Sequence, residues 1–212
     1  MALLFTKMFG NEDFVYFPIY ILIGTMINSL FGEGTTSCLT ALSGNKNFLI
    51  NSAISRSLYP VERVYVAFVN FCFSIIIFVI VALYYGLKPK WEWLLVVPNI
   101  IMFIVMILGI GKILAIINVT FADITYFYKI FTLFVFYASA IFYDTSRLSP
   151  LMQQLISLNP VYVSIALARI CVIDGMVANG TLWAKLFFCS VFCYSLGTYI
   201  YKKNVQNIIE KI

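Results

Sequence analysis

Five long apolar runs, separated by short polar segments, set the pattern of this chain. They extend with few interruptions over residues 14–32, 64–85, 94–118, 124–143 and 181–201. Because a helix of about 20 apolar residues crosses the hydrocarbon core of a bilayer, each run predicts a membrane-spanning helix. The predicted fold class is all-α, a polytopic helical membrane protein with about five complete spans in a single domain over residues 1–212.

The segment at residues 144–180 departs from this pattern. Asn159-Pro160 breaks the chain, and the apolar run after it, residues 161–173, is too short to span a bilayer and contains Arg169. A full span here would also move the lysine-containing C-terminus to the outer side, against the positive-inside rule. We therefore predict outer loops and a re-entrant helical hairpin on the outer side.

A polar island at residues 45–63 lies between the first two runs. Read at helical spacing, it has an apolar row beside a polar row and ends at Pro60, which is typical of a short helix on a membrane surface. Its net basic charge places it on the cytoplasmic side. The apolar row, the polar row and the charges are Ile50, Ile54 and Leu58; Asn47, Asn51 and Ser55; and Lys46, Arg56 and Arg63 against Glu62. An ordinary amphipathic loop helix is the alternative interpretation.

The composition indicates a membrane protein and excludes several kinds of chemistry. Hydrophobic residues make up 62% and charged residues 11% of the chain, against roughly 25% charged in soluble domains. The net charge of +5 is not clustered as nucleic-acid binding requires. The sequence has no histidine, no phosphate-binding GxxxxGK[ST] loop and no spaced set of metal ligands. We predict no catalytic residue, metal site or cofactor in this chain, and we expect its cysteines to pack as small apolar residues.

Polar and small residues inside the runs carry further expectations. The Gly-Glu-Gly-Thr-Thr-Ser sequence after Phe31 predicts that the first helix loosens there, so that Glu33 reaches water. An ionisable residue within a span is also a functional candidate. Lys112 is expected to extend its ammonium toward the interface, and Gly109 and Gly111 to let a neighbouring helix approach closely.

Several polar motifs follow one another in a recognisable order. They are Asn47, Leu49 and Ile50 before Arg56 and Pro60; then Asp123 in a cytoplasmic turn; then Ser139, Ile141 and Tyr143; then Asn159 and Pro160 before Arg169. In this order they resemble the membrane permease of polysaccharide, O-antigen and teichoic-acid ABC exporters, within the ABC-2 type permease superfamily. The likeness covers nearly the whole chain from about residue 14.

The resemblance implies a homodimer of permeases in the cytoplasmic (inner) membrane of a bacterium or archaeon. A separate ABC ATPase subunit would bind ATP and magnesium and would hold all the enzymatic activity. The cargo would be a lipid-linked polysaccharide or wall polymer. The polar island would be the coupling helix, and the residues facing the ATPase would be Asn47, Asn51, Arg56, Pro60 and Glu62.

The substrate path and the N-terminus carry further predictions. Since aromatic rings offer flat faces to sugars at little conformational cost, Tyr137 and Tyr143 are candidate residues of the path. Asn159 and Arg169, in the predicted hairpin region, are the other two candidates. Residues 1–13 are predicted to be the remnant of a first span, whose beginning and preceding interface helix are missing relative to the family.

The chain departs from the family pattern at three positions. Ser55 and Ala140 stand where the family usually has proline, and Ala122 stands where it usually has arginine. The arginine would sit beside Asp123, so the resemblance does not extend to a salt bridge at that turn.

Three other functions fit parts of the same pattern. A drug or lipid exporter of the same superfamily would share the architecture. A non-transporting membrane assembly protein would need neither the island nor the hairpin. A membrane enzyme of glycan synthesis would need a cluster of acidic and basic residues, which the sequence does not show.

Overall fold

The structure, a computed structural model, describes residues 16–45, 56–143, 145 and 148–209. Every regular element in this described part is helical. The α-helices are α1 (Phe17–Leu39), α2 (Leu58–Tyr84), α3 (Val96–Thr120), α4 (Ile124–Ala138), α5 (Pro150–Ile156), α6 (Pro160–Arg169) and α7 (Gly180–Ile209). Short 3-10 helices cover Ser43–Asn45 and Trp91–Leu95, and a π-helical turn, Ile170–Asp174, continues α6. The predicted all-α class is confirmed.

Several of these helices have the length and apolar character of membrane spans. Among the described residues, three segments meet both conditions: Leu58–Tyr84, Trp91–Thr120 and Gly180–Val205. α1, with 23 residues, also has the length of a span. On α2 the large apolar side chains Phe73, Ile76, Ile77 and Ile80 are exposed, which suits contact with lipid. The chain is a multi-pass helical membrane protein.

The predicted hairpin segment forms two short helices. α5 and the α6 segment, Pro160–Asp174, meet at a bend of 99°. Asn159 caps α6, because its side-chain oxygen accepts a hydrogen bond from the backbone N–H of Val161 at 3.0 Å. The bend therefore lies at the predicted Asn159-Pro160 break, while the re-entrant path through the membrane remains a prediction.

The first helix does not loosen where its glycines predicted. α1 continues through Gly32 and Gly34 to Leu39. The Thr35 hydroxyl donates to the carbonyl of Phe31 at 2.6 Å, and a side chain at Gly34 would collide with Ile107. Tertiary packing against the helix thus outweighs the low helix propensity of glycine, which costs about 1 kcal/mol per residue relative to alanine.

Pro60 starts a helix and does not end one. It is the third residue of α2, which begins at Leu58 and runs on for 27 residues. Proline fits the first turn of a helix because the backbone N–H that it lacks would have no partner there. The predicted boundary at the end of the island is therefore wrong, and Leu58 belongs to α2.

The fourth helix is shorter than its apolar run. The predicted helix extends to Tyr143, but α4 ends at Ala138 after 15 residues, a rise of about 22 Å. Ala140 has a positive φ of 48°, the left-handed conformation that often follows the last turn of a helix. Hydropathy is uniform across this boundary, so it gives no signal of the turn.

Contacts divide the chain into two compact units. The first unit comprises residues 1–29, 71–100 and 135–186, and the second comprises residues 30–70, 101–134 and 187–212. Within the first unit, Asn99 and Ser164 join α3 to α6. The Asn99 amide donates to the Ser164 carbonyl, and the Ser164 hydroxyl donates to the Asn99 side chain, both at 3.0 Å. Paired polar groups of this kind hold helices together where lipid offers no partner.

In the second unit, glycines allow α3 and α7 to touch through their backbones. A Cβ on Gly109 would collide with the backbone of Cys193, and one on Gly197 would collide with the backbone of Gly109. Gly111 likewise leaves room for the thiol of Cys38 on α1. The predicted close approach at Gly109 and Gly111 is confirmed.

Lys112 is buried and does not extend to the interface as predicted. Only 6% of the residue is exposed. Its ammonium donates to the Thr198 hydroxyl at 3.0 Å and lies 4.4 Å from the centroid of the Tyr194 ring. α7 offers Lys112 both a hydrogen-bond acceptor and an aromatic face, so the cation is satisfied without reaching the interface.

Candidate functional site

The chain that enters the predicted coupling segment, residues 45–63, is held by a hydrogen bond to α3. Ser43 lies in the 3-10 helix just before the segment, and its hydroxyl accepts a hydrogen bond from the Asn118 amide at 3.2 Å. The Asn118 side-chain oxygen in turn accepts from the Thr125 hydroxyl at 2.8 Å. One asparagine therefore links the end of α3 both to the start of α4 and to the chain that enters the segment.

The C-terminal part of the segment is held by hydrogen bonds from α7 and α1. The buried Tyr201 hydroxyl donates to the backbone carbonyl of Arg56 at 2.7 Å. On the next turn, the Cys38 thiol lies 3.5 Å from the carbonyl of Pro60, in donor geometry. The first residues of α2 are thus held from two sides.

The chain before the segment and the C-terminal part of the segment pack on the same core of the second unit. The core consists of the buried residues Leu42, Ala115, Ile116 and Tyr201, with Tyr59, Val119 and Val205 packed against it. Leu42 precedes the coupling segment, and Tyr59 lies in its C-terminal part. The two ends of the segment therefore pack on one core, to which α2, α3, α7 and the turn after α1 all contribute.

The predicted coupling residues have different environments. Asn47 and Asn51 lie outside the described residues. Pro60 is buried and Arg56 half-buried, whereas the exposed Glu62 carboxylate lies 3.3 Å from the Arg63 guanidinium. The predicted turn residue Asp123 is exposed immediately before α4, where an acidic side chain suits a helix N-terminus.

In the first unit, a second polar arrangement forms around the chain that follows α4. The side-chain amide of Asn159 donates to the carbonyl of Ala138 at 3.3 Å and to the hydroxyl of Ser139 at 3.0 Å. The same side chain caps α6 through Val161. One asparagine therefore serves the C-terminus of α4 and the N-terminus of α6, where backbone groups have no partners inside their own helices.

Arg169, at the other end of α6, binds the same turn. Its guanidinium donates to the carbonyls of Ala140 at 2.9 Å, Ile141 at 3.1 Å and Tyr20 at 3.1 Å. It also stacks 3.3 Å above the centroid of the Tyr20 ring. The positive charge lies at the C-terminal end of α4, where the helix dipole favours a cation.

Three tyrosines complete this arrangement. The Tyr20 hydroxyl donates to the carbonyl of Tyr143 at 3.1 Å, and the Tyr143 hydroxyl donates to the carbonyl of Tyr137 at 3.2 Å. Partial desolvation raises the pKa of the Tyr143 phenol above its usual value. The four predicted path residues therefore meet around one turn, residues 138–143, which we call the α4 turn.

Comparison with known proteins identifies the family. The ABC-2 type transporter family matches residues 1–173 of the sequence. The chain belongs to this family. Two O-antigen export system permease proteins RfbA from Klebsiella pneumoniae are each 22% identical to it, over 88% and 87% of the chain. The RfbA of Myxococcus xanthus is 24% identical over 75% of the chain.

Family membership confirms the predicted recognition. The chain is a membrane permease of the ABC-2 type and is similar to O-antigen export permeases. The three alignments cover 72%, 66% and 62% of those relatives, so the chain spans about two thirds of their length. The family consists of transporter permease subunits, and this ABC-2 member is a transmembrane subunit of an ABC exporter.

Two residues of α1 that contact Arg169 beside the α4 turn are not predicted by the sequence. Tyr20 supplies the ring and a carbonyl to Arg169, and Gly24 leaves space for that guanidinium, since a Cβ there would lie 2.9 Å from an Arg169 nitrogen. Their spacing of one helical turn in α1 is a usable signal only when the partner on α6 is known. That partner is 149 residues away from Tyr20 in the sequence, which is why the pattern alone does not predict the contact.

Proposed function

We propose that this ABC-2 permease works as a homodimer in the cytoplasmic membrane of a bacterium or archaeon. It would export a lipid-linked polysaccharide or wall polymer, driven by a separate ABC ATPase subunit that binds ATP and magnesium. The ATPase docks on residues 45–63, the coupling segment. The main support for the proposal is that the chain just before this segment and the C-terminal part of the segment pack on one buried core.

This anchoring suits the transmission of force. Protein interiors are close-packed and transmit strain, so movement at residues 45–63 would reach the three helices that share the core. The hydrogen bond from the Tyr201 hydroxyl uses only the backbone carbonyl of Arg56 and not its side chain. The Arg56 side chain is therefore available to a partner without loss of the anchor.

The proposed cargo rests on two other observations. The relatives are named O-antigen export system permease proteins, and O-antigen export is the function that we extend to this chain. In addition, Tyr137 is 62% exposed and Tyr143 39% exposed beside the α4 turn, and such rings give a sugar flat contact surfaces. Arg169 and Asn159 hold the turn that positions these two tyrosines.

Co-purification with the ATPase tests the docking proposal. The permease and the ABC ATPase encoded with it are co-expressed, the permease is captured by an affinity tag, and the ATPase recovered per permease is measured. Arg56→Glu reverses one charge at the docking surface while leaving the Tyr201 contact in place. We expect about a tenfold loss of affinity, corresponding to about 1.4 kcal/mol.

Lys185→Glu is the matched control, since Lys185 is exposed and is predicted to lie on the outer side. This variant should recover as much ATPase as the unaltered protein. Equal recovery with Arg56→Glu would count against docking at this segment. Absence of the ATPase from the unaltered complex would overturn the proposed coupling as a whole.

A further inference from the structure

An apolar cavity in the first unit is separate from the α4 turn and from the coupling segment. Its volume is about 190 Å³, and its lining is almost entirely apolar. Five parts of the unit form it: α1, α2, the 3-10 helix Trp91–Leu95, the start of α3, and α6 with its π-helical turn. Lining residues from these parts include Ile23, Ile27, Phe78, Trp93, Ala168 and Val172.

Water is a poor occupant for such a space. An apolar cavity of about 150 Å³ stays dry in a protein and accepts small apolar ligands. An empty cavity also forfeits the dispersion contacts of its lining. Because the chain is a multi-pass membrane protein, hydrocarbon chains are the apolar groups at hand.

Trp93 provides a second and more specific indication. Its indole ring is half-buried and lines the cavity. Trp93 lies in the 3-10 helix that precedes α3, a position typical of tryptophans at the membrane interface. The ester groups of phospholipids lie at that same depth, so an acyl chain in the cavity would begin beside Trp93.

The charges near this end of the cavity fit a phospholipid headgroup. Lys88 and Lys90 are exposed, and the Lys90 ammonium lies beside Gly175, just after the π-helical turn. The acidic residue Glu92 lies in the 3-10 helix just after Lys90, and Asp174 ends the π-helical turn just before Gly175. The charge there is balanced, which matches a zwitterionic headgroup better than an anionic one.

We propose that this cavity binds a zwitterionic phospholipid of the bilayer, with one acyl chain between α1, α2, α3 and α6. The upper part of that chain lies against the Trp93 indole. This site is independent of the exported cargo and of the ATPase. Its test therefore reads out lipid contact and does not require transport.

Quenching of tryptophan fluorescence by brominated lipid measures this contact. The full-length protein carrying Trp91→Phe and Trp183→Phe retains Trp93 as its sole tryptophan, because the chain has three. It is reconstituted in phosphatidylcholine vesicles containing phosphatidylcholine brominated at the upper part of one acyl chain. A parallel series uses brominated phosphatidylglycerol, which carries a net negative charge.

Cavity-filling substitutions separate bound lipid from bulk lipid. Ala168→Leu places a larger side chain in the cavity, and Ile75→Phe does so from α2 if the first variant folds poorly. We expect each to lower the Trp93 quenching by at least half. Quenching of a protein that keeps only Trp183, which does not line the cavity, should stay unchanged. Phosphatidylcholine should quench Trp93 at least as well as phosphatidylglycerol.

Three results would overturn the proposal. Quenching that survives both filling substitutions would mean ordinary contact with bulk lipid. Absence of Trp93 quenching would mean that protein fills the cavity, either a second copy or the segment 1–15 of the same chain. Clearly stronger quenching by phosphatidylglycerol would contradict the zwitterionic headgroup.

Discussion

Arg169 is the residue on which the α4 turn depends most. Only 6% of it is exposed, and its donors bind the carbonyls of Ala140 and Ile141 just after α4 and that of Tyr20 in α1. A cation in a short apolar run is unusual, so the sequence indicates that Arg169 has a specific role. The sequence does not predict what that role is, because the bonded carbonyls belong to residues that are distant in sequence.

Replacing Arg169 tests this structural role. Arg169→Met leaves several buried carbonyls without donors, and each such group costs about 1–3 kcal/mol, so we expect a loss of about 3 kcal/mol or more in the free energy of unfolding. Arg169→Lys should recover only part, because lysine lacks the planar fork of donors. Thermal unfolding in detergent provides the measurement.

Lys185→Met is the control for that series, because Lys185 is an exposed cation of the same unit. It should change the unfolding midpoint little. A small effect of Arg169→Met, comparable with that of Lys185→Met, would contradict the assigned role.

Ala140 makes a separate prediction, because its φ of 48° lies where alanine is strained by about 1–2 kcal/mol. Ala140→Gly relieves this strain but gives up chain entropy worth about 0.5–1 kcal/mol, so stability should change by no more than about 1 kcal/mol. Ala140→Pro fixes φ near −65° and should destabilise by about 3 kcal/mol. A proline variant as stable as the glycine variant, in the same unfolding assay, would show that the turn is formed differently.

At the scale of elements, backbone contact between α3 and α7 is the feature most sensitive to single substitutions. Gly109→Ala places a methyl group against the backbone of Cys193, where no flexible side chain can move away. We expect a loss of about 1–3 kcal/mol and a lower unfolding midpoint in detergent.

Gly32→Ala is the matched substitution, because a Cβ at Gly32 meets nothing within 4 Å. With the higher helix propensity of alanine, it should stabilise α1 by up to about 1 kcal/mol. Equal effects at the two glycines would show that α3 and α7 are not in backbone contact.

Element type was predictable from this sequence, whereas several element ends were not. The lengths of the apolar runs predict the helices, and the Asn159-Pro160 pair predicts the bend. The end of α4 at Ala138 and the unbroken course of α1 are set by Asn159, Arg169 and Ile107, which act from elsewhere in the sequence. Burial of Lys112 has the same origin, since Thr198 and Tyr194 on α7 supply its partners.

The candidate sites divide in the same way. Tyr137, Tyr143, Asn159 and Arg169 were each found from the sequence, and the structure places them around one turn. Their role in a substrate path remains a prediction. For the coupling segment, periodicity predicts residues 45–63. It does not predict Asn118 and Tyr201, which bond the chain at the two ends of the segment, because nothing in their local sequence indicates these contacts.

At the scale of the whole molecule, the family assignment and the anchored segment support one mechanical account. In the proposed mechanism, an ATPase would act on residues 45–63, and the buried core of the second unit would pass the displacement to the helices that share it. The permease would stay rigid where the ATPase acts and would offer a path to the cargo.

Polymer export in cells measures this account most directly. The gene is deleted in its source organism, and surface polysaccharide and lipid-linked polymer inside the membrane are both quantified. We expect deletion to remove surface polymer and to raise the internal lipid-linked pool. Complementation with the unaltered gene or with Lys185→Glu should restore export, and complementation with Arg56→Glu should not. Unchanged surface polymer after deletion, or loss of the internal pool as well, would contradict the account.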